Sequence, residues 1–257
     1  MSGLNLRSEE GEACAPSPLA RVPSASALGM ATCTLESPPR PPPMTRAEIL
    51  TRYRRLRQIS KEHHLAVLDI IAPDVLMDWA KRLDLTQGRT LVLESEHEMT
   101  LAEDLATYLA RPGRSHPLDR YARAARFASG SDEAVVLEAM RNPCFSLWRV
   151  ERLHDTAGLI LRDLLRGGET WLVDETMEKT ARPGLEIAAR VLKPAGFAMT
   201  ARIVVPVVPN LMEEAFTRAP ALRHAQGDVL GGDPRFAIAI YRAAVVLGVM
   251  DAVRLKN

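Results

Sequence analysis

The chain has 257 residues, 47% of them hydrophobic and 25% charged, with a formal net charge of +1; this is the profile of a globular protein long enough to bury a real core. A charge so near zero excludes a whole-molecule field that would recruit nucleic acid or an anionic membrane. The three cysteines, Cys14, Cys33 and Cys144, stand at no metal-ligand spacing and read as reduced thiols of a cytoplasmic protein, which excludes a disulfide framework.

Residues 1–43 are rich in Pro, Ser and Ala and lack apolar periodicity, so the composition predicts a disordered tail. Its proline-rich run, Pro38 to Pro43, is expected to be extended. The opening MSGLNLRSEEGEACAPS carries glutamates where a signal peptide needs an apolar run. Met30 and Met44 stand as alternative initiators to Met1.

Order is expected from Met44. Thr45 and Glu48 have the spacing of a capping box, in which each side chain bonds the other's free backbone N–H. Ile49, Tyr53 and Leu56 then recur on one helical face, with Leu50 and Ile59 on its shoulders. This helix either runs on through His63 and His64 or breaks near Ser60. Pro73 suits the first turn of a second helix, whose buried side is Leu76, Trp79, Ala80 and Leu83. GRTLVLE reads as a short strand or an extended connection. Ser95 and Glu98 repeat the capping-box spacing ahead of a helix lined by Met99, Ala102, Ala106 and Leu109. Pro117 opens another helix, and Ser131 caps the next, with Asp132 and Glu133 on the positive end of its dipole. These elements make a helical domain over residues 44–143.

At Cys144 the period changes. In CFSLWRVERL, Phe145, Leu147 and Arg149 alternate with Ser146, Trp148 and Val150, the two-residue repeat of a strand. GLILRDLLRGGETWLVDE predicts two strands about a turn at Gly167-Gly168, and GLEIAARVL and FAMTARIVVPVV two more about Pro194 and Gly196. Five short strands joined by short turns predict a small, mostly antiparallel, barrel-like module over residues 144–208. Residues 209–257 return to helix, with Asp233 and Pro234 as cap and first residue of the last. That helix, Phe236 to Met250, is apolar around most of its circumference, so it is expected to be buried in this chain or against a protein partner or second copy. It is interrupted by Arg242 and short for a bilayer. The expected fold class is α+β: a helical domain packed on a small β-module, followed by C-terminal helices.

This order of features resembles a group of uncharacterised bacterial proteins that often carry a SEC-C zinc motif. The likeness rests on the leucine-rich helix end VVLEAM, the strand FSLWRV, the hairpin Gly158 to Gly167, and an apolar segment ending in Ala201 and Arg202. It covers residues 44–208. The C-x-C pair and later cysteine of the zinc motif are missing, since no cysteine follows Cys144. What the resemblance implies is therefore an architecture, without a metal role.

Three constellations stand out as candidate sites. Glu94, Glu96, His97, Glu98, Glu103 and Asp104 place an imidazole among carboxylates, a donor set for a divalent ion in a metal-dependent hydrolase; the same acids also suit a helix's first turn and its cap. His63 and His64 are adjacent and diverge on a helix, and with His116 and His154 they read as surface or half-buried side chains. Residues 44–62 hold Arg46, Arg52, Arg54, Arg55, Arg57 and Lys61 against Glu48 and Glu62. A basic helix of this kind is a candidate for binding RNA or DNA phosphates through Arg52, Arg54, Arg55, Arg57 and Lys61. Helical geometry puts Arg54, Arg57 and Lys61 on one flank of the apolar stripe and Arg52 and Arg55 on the other, as solubilising side chains would be. Trp148 and Trp171 are the likeliest stacking pair and equally plausible core. No coherent set of catalytic, cofactor-binding or metal-ligating residues emerges. The leading expectation is a non-enzymatic protein-interaction module, with nucleic-acid binding and metal-dependent hydrolysis as alternatives.

Overall fold

The computed structural model describes residues 44–111 and 113–252; the tail expected over 1–43, with its proline run, lies outside the described residues. The first helix, α1 (Arg46–Asp69), opens on the Thr45/Glu48 capping box and does not break at Ser60. No glycine or proline interrupts it, and the buried stripe Ile49, Tyr53, Leu56, Ile59, His63 and Val67 continues along its length. Helix α2 (Pro73–Arg82) begins with proline at its first turn. The segment after it, open in sequence between strand and connection, forms a two-residue hairpin of β1 (Thr86–Gln87) and β2 (Thr90–Leu91). Three further helices follow: α3 (Glu96–Tyr108), α4 (Pro117–Ala124) and α5 (Asp132–Arg141).

The change of period at Cys144 is a change of structure. Strands β3 (Cys144–Leu153), β4 (Leu159–Asp163) and β5 (Glu169–Leu172) precede β6 (Glu186–Ala195) and β7 (Phe197–Pro206). Four pairings are antiparallel: β3 with β4, β4 with β5, β6 with β7, and β3 with β6. The fifth is parallel and joins β5 to β7 through a single register pair, Leu172 with Ala198, so the order β3-β4-β5-β7-β6 returns to β3. Val173 N–H donates to the Ala198 carbonyl at 2.8 Å beside that pair. Gly158, at φ +83°, lets the start of β4 pass the Leu172 carbonyl, where any Cβ would collide. The fold is α+β, with helices on either side of these strands in sequence.

Alternation along the strands feeds two separate cores. One face of the sheet, with Trp148, Leu159, Leu161, Leu172, Ile187, Ala189, Val191 and Ala198, encloses a cluster of its own. The other, with Phe145, Leu147, Ala188, Leu192, Met199, Ala201 and Val205, joins the core of the helices. A sheet buried on both faces explains why β6 and β7 read as nearly continuous apolar runs. Trp148 is thus interior and its indole N–H donates to the Ala189 carbonyl at 3.0 Å, whereas Trp171 is half-buried and stacks on His154, with ring centroids 4.2 Å apart. The two tryptophans do not form a pair.

Two short helices were not legible in sequence. Helix α6 (Glu175–Thr180) is started by Asp174, whose carboxylate accepts from the Thr176 and Met177 N–H groups at 3.0 Å. Helix α8 (Gly227–Gly232) follows α7 (Leu211–Arg218) and a 3-10 turn at Pro220–Leu222. Helix α9 (Pro234–Val246) starts as expected on Asp233 and Pro234, and α10 (Val249–Ala252) completes the described chain. The apolar circumference of α9 is covered within the chain: Phe236, Ala237, Ala239, Ile240, Tyr241, Ala243 and Ala244 are buried, and only Val246 and Leu247 near its end are exposed apolar groups. Burying a side chain such as Phe236 or Ile240 stabilises by roughly 1.5–3 kcal/mol. Releasing this face for a partner would therefore remove a large share of a domain's stability.

One charged pair ties the segments together. Asp104 on α3 is fully buried, and Arg190 on β6 is 4% exposed. Arg190 Nη2 and Nε donate to Asp104 Oδ2 at 3.0 and 3.2 Å, and the Tyr241 hydroxyl on α9 donates to the same oxygen at 2.9 Å. Burial, then the Asp104 charge, pushes the Tyr241 phenol well up, so it remains a proton donor. The Arg190 guanidinium lies 4.4 Å over the Tyr108 ring and 5.3 Å over Phe145. Asp104→Ala leaves a buried guanidinium without its counter-charge and is expected to cost about 3–5 kcal/mol in a urea melt. The double replacement Asp104→Leu with Arg190→Met should recover most of that loss.

Candidate functional site

Residues four apart on a helix share a face, so Tyr53, Arg57 and Lys61, with Arg54 and Gln58 beside them, turn one flank of α1 toward β7 and α6. Between these elements lies a cleft of about 750 Å³, within the range of ligand-sized pockets. Its floor is apolar, built from Leu185, Ile187, Val204 and Pro206 with Met177 of α6 and Ala181 just after it. Ile187, Ala181 and Val204 also belong to, or pack on, the cluster enclosed by the sheet. The cleft is thus the mouth of that interior, on the side where β5 and β7 share only one register pair.

A bulge shapes its wall. From Ala189 to Val191 on β6 there are two steps, while their partners Val204 and Thr200 on β7 are four steps apart. Three residues, Ala201 to Ile203, thus stand opposite the single Arg190, and the two extra kink β7 where bulges commonly re-aim side chains. Arg57 Nη1 donates to the carbonyls of both Thr200 and Ala201, the latter at 2.7 Å, which fastens α1 to the bulge. Arg202 also lines the cleft, with Nη1 2.8 Å from Glu103 Oε2. That contact is an ion pair without an aligned hydrogen bond, since Nη1 is buried and otherwise unpartnered.

The remaining polar groups are fixed. The Thr200 hydroxyl donates to Asp174 Oδ2 at 3.1 Å, which with the helix cap accounts for both oxygens of that carboxylate. Arg54 grips Glu175 with two hydrogen bonds, at 2.6 and 3.0 Å. Burial, then the Asp174 charge, pushes the Tyr53 phenol up to about 12. Among the described residues, neither Arg57 nor Lys61 lies within ion-pairing distance of a carboxylate. His97 stands at the cleft's edge, from the first turn of α3.

The five basic residues singled out in sequence are therefore divided. Arg52 and Arg55 leave the cleft and both pair with Asp132 at the start of α5, while Arg54, Arg57 and Lys61 line it. The acidic constellation is dispersed as well. Glu98 is buried and accepts from the Glu94 N–H at 2.6 Å, Glu103 meets Arg202, and Asp104 meets Arg190. Only His97 of that group faces the cleft, and no cluster of metal-binding side chains occurs among the described residues. Arg202, Thr200, Asp174 and Val204 were missed as site residues. Arg202 alone carried a signal, as a charge interrupting an apolar strand.

The adjacent histidines are a correction: both are buried, at 3% and 2% exposure, because α1 is covered on both sides of its stripe. Their partners assign opposite tautomers. His64 Nδ1 donates to the Ser60 carbonyl at 2.6 Å and Nε2 accepts from the Tyr108 hydroxyl at 2.7 Å. His63 Nε2 donates to the Glu133 carbonyl at 2.9 Å and Nδ1 accepts from the Tyr121 hydroxyl at 3.0 Å. Among the others, His116 Nε2 donates to the Tyr108 carbonyl at 2.8 Å, and the His154 ring accepts from the Thr156 N–H at 3.2 Å.

Two measurements follow from this geometry. Burial holds His64 down at about 4, below its unfolded value of about 6.5. The unfolded chain then binds the extra proton first, so stability is full above about pH 6.5 and falls as the pH drops toward 4. Urea midpoints across that window should lose roughly 3 kcal/mol on this account, and His64→Gln should flatten the dependence. His63, lowered by burial in the same direction, adds to the slope in both proteins. Separately, Arg57→Ala should lower stability by about 1.5–3 kcal/mol, the worth of charge-assisted bonds to backbone, while the exposed Lys61→Ala leaves the melt unchanged.

In the described residues no helix is long and apolar enough to cross a membrane. Comparison with curated proteins gave no match, and comparison with solved structures gave none either. A family model described as a family of unknown function (DUF7986) matches residues 47–213. That span runs from α1 into α7 and carries every lining residue of the cleft except Met250. The chain belongs to this family, DUF7986.

Proposed function

We propose that the protein is a non-enzymatic interaction module of the cytoplasm, and that the cleft between α1, α6 and the β6–β7 hairpin receives part of a partner protein. The observation that carries this reading is the pairing of an apolar floor with a cationic wall in one ligand-sized depression. Such a combination gives desolvation energy and orientation together. The polar groups around it are held in binding rather than reactive arrangements: Asp174 caps a helix, Glu175 is gripped by Arg54, and Arg57 is tied to backbone carbonyls. A cytoplasmic setting is supported by Cys144, a free thiol among the described residues, which burial pushes up and leaves weakly reactive. Kinship with bacterial proteins bearing a SEC-C motif fits the order of elements, but no zinc-based role is proposed for a chain without the ligands.

Nucleic-acid binding along residues 52–61 is the weaker reading. Arg52, Arg54 and Arg55 each face a carboxylate of this chain, so phosphate contacts would have to displace three internal pairs. The interaction reading is tested by affinity purification of the tagged full-length chain from its native host. A partner retained by the wild type and by Leu65→Glu, on exposed surface away from the cleft, should be lost with Leu185→Glu at its floor. Identical partner sets for all three proteins would overturn the assignment of the cleft.

A further inference from the structure

Resting on that reading of the cleft, we infer that the segment it receives is acidic and alternates carboxylates with apolar side chains. The charges of the wall do not cancel. Four cations line it, Arg54, Arg57, Lys61 and Arg202, against two carboxylates, Asp174 and Glu175. Glu175 is taken by Arg54, and Asp174 by the α6 N–H groups and Thr200. Arg202 shares Glu103 through a poorly aligned contact, while Arg57 is met only by carbonyl dipoles. The wall above Ile187 and Val204 is thus left positive. A basic segment is repelled there, and a wholly apolar one would bury those cations without counter-charge, which is costly.

Spacing sharpens the assignment. Arg57 and Lys61 are four residues apart on one helix, a rise of about 6 Å. Alternate residues of an extended chain are about 6.5–7 Å apart and point to the same side, with the residue between pointing to the other. Carboxylates at positions i and i+2 of an extended segment therefore match Arg57 and Lys61, and the intervening side chain is free to turn onto the floor of Leu185, Val204 and Pro206. A single-stranded nucleic acid fits less well. Its bases need exposed aromatic faces; of the two aromatic rings lining the cleft, Tyr53 is 6% exposed and only His97, at the edge, is open.

The test uses the full-length chain and fluorescein-labelled probes in an anisotropy titration at low salt. The probes are a peptide alternating glutamate with leucine, a peptide of the same composition with the two residue types in separate blocks, a glutamate–serine peptide, a lysine–leucine peptide and an oligothymidine. The alternating glutamate–leucine peptide should bind best and lose affinity as salt rises. The glutamate–serine and lysine–leucine peptides should bind at least about tenfold more weakly, and the block peptide should also bind more weakly. Lys61→Glu should lower the affinity of the alternating peptide about tenfold, whereas Lys81→Glu, on exposed α2, should leave it unchanged. Both are surface changes, and a matching thermal melt confirms that they fold. Absence of glutamate–leucine binding, equal binding of the lysine–leucine peptide, tighter binding of the oligothymidine, or indifference to Lys61→Glu would overturn the inference. If a native partner is still lost with Leu185→Glu while the glutamate–leucine peptide fails to bind, the acidic assignment falls and the interaction module stands.

Discussion

Asp104 and Arg190 impose the central constraint on this fold. A carboxylate and a guanidinium removed from water are each costly, and their attraction offsets that cost only when geometry and further hydrogen bonds are good. Here the geometry is met by three distant stretches of chain at once: α3 supplies the acid, β6 the base, and α9 the Tyr241 hydroxyl. Tyr108 and Phe145 give Arg190 aromatic faces on which to lie. Because none of these groups is satisfied unless all are present, the pair specifies one way of docking the helices on the sheet. Apolar packing alone would tolerate several.

The cleft depends on the same docking. Next to Arg190 on β6, the register with β7 slips by two residues, and the resulting bulge carries Arg202 toward Glu103, the neighbour of Asp104 on α3. On the far side of the bulge the Thr200 and Ala201 carbonyls accept from Arg57 of α1. Three arginines therefore occupy three kinds of environment within one small region. Arg190 is sealed in the core, Arg57 ties α1 to the bulge through Nη1 while lining the cleft, and Arg202 lines it with one nitrogen set against Glu103. The wall of the cleft is built from residues that also hold α1, α3 and the sheet together. Arg57 and Arg202 are already held by these contacts, and side chains so held lose little entropy when a ligand arrives.

How much of this was legible in sequence varied with the range of the forces involved. The capping boxes at Thr45 and Ser95, the proline starts of α2, α4 and α9, and the change of period at Cys144 are local effects. They were readable because a backbone N–H or a fixed φ is satisfied within a few residues. The flanks of α1 were readable for the same reason, and the structure sends Arg52 and Arg55 one way and Arg54, Arg57 and Lys61 the other. Helix α6 was hidden because it is short and has no apolar stripe of its own. The burial of His63 and His64 was hidden because their cover, Tyr108 and Tyr121, comes from helices more than forty residues away.

The sequence by itself determined the local grammar: where helices start and where the chain turns to strand. Only the tertiary structure decided which charges matter. Asp104 and Glu103 look alike as neighbours in an acidic helix, yet one is sealed in the core against Arg190 and the other pairs with Arg202 of the cleft wall. The basic residues of α1 look like one cluster, yet a bulge in a strand over a hundred residues later selects Arg57 from among them. Charge acts through space and is set by burial and partners, and neither is encoded in the spacing of residues along the chain.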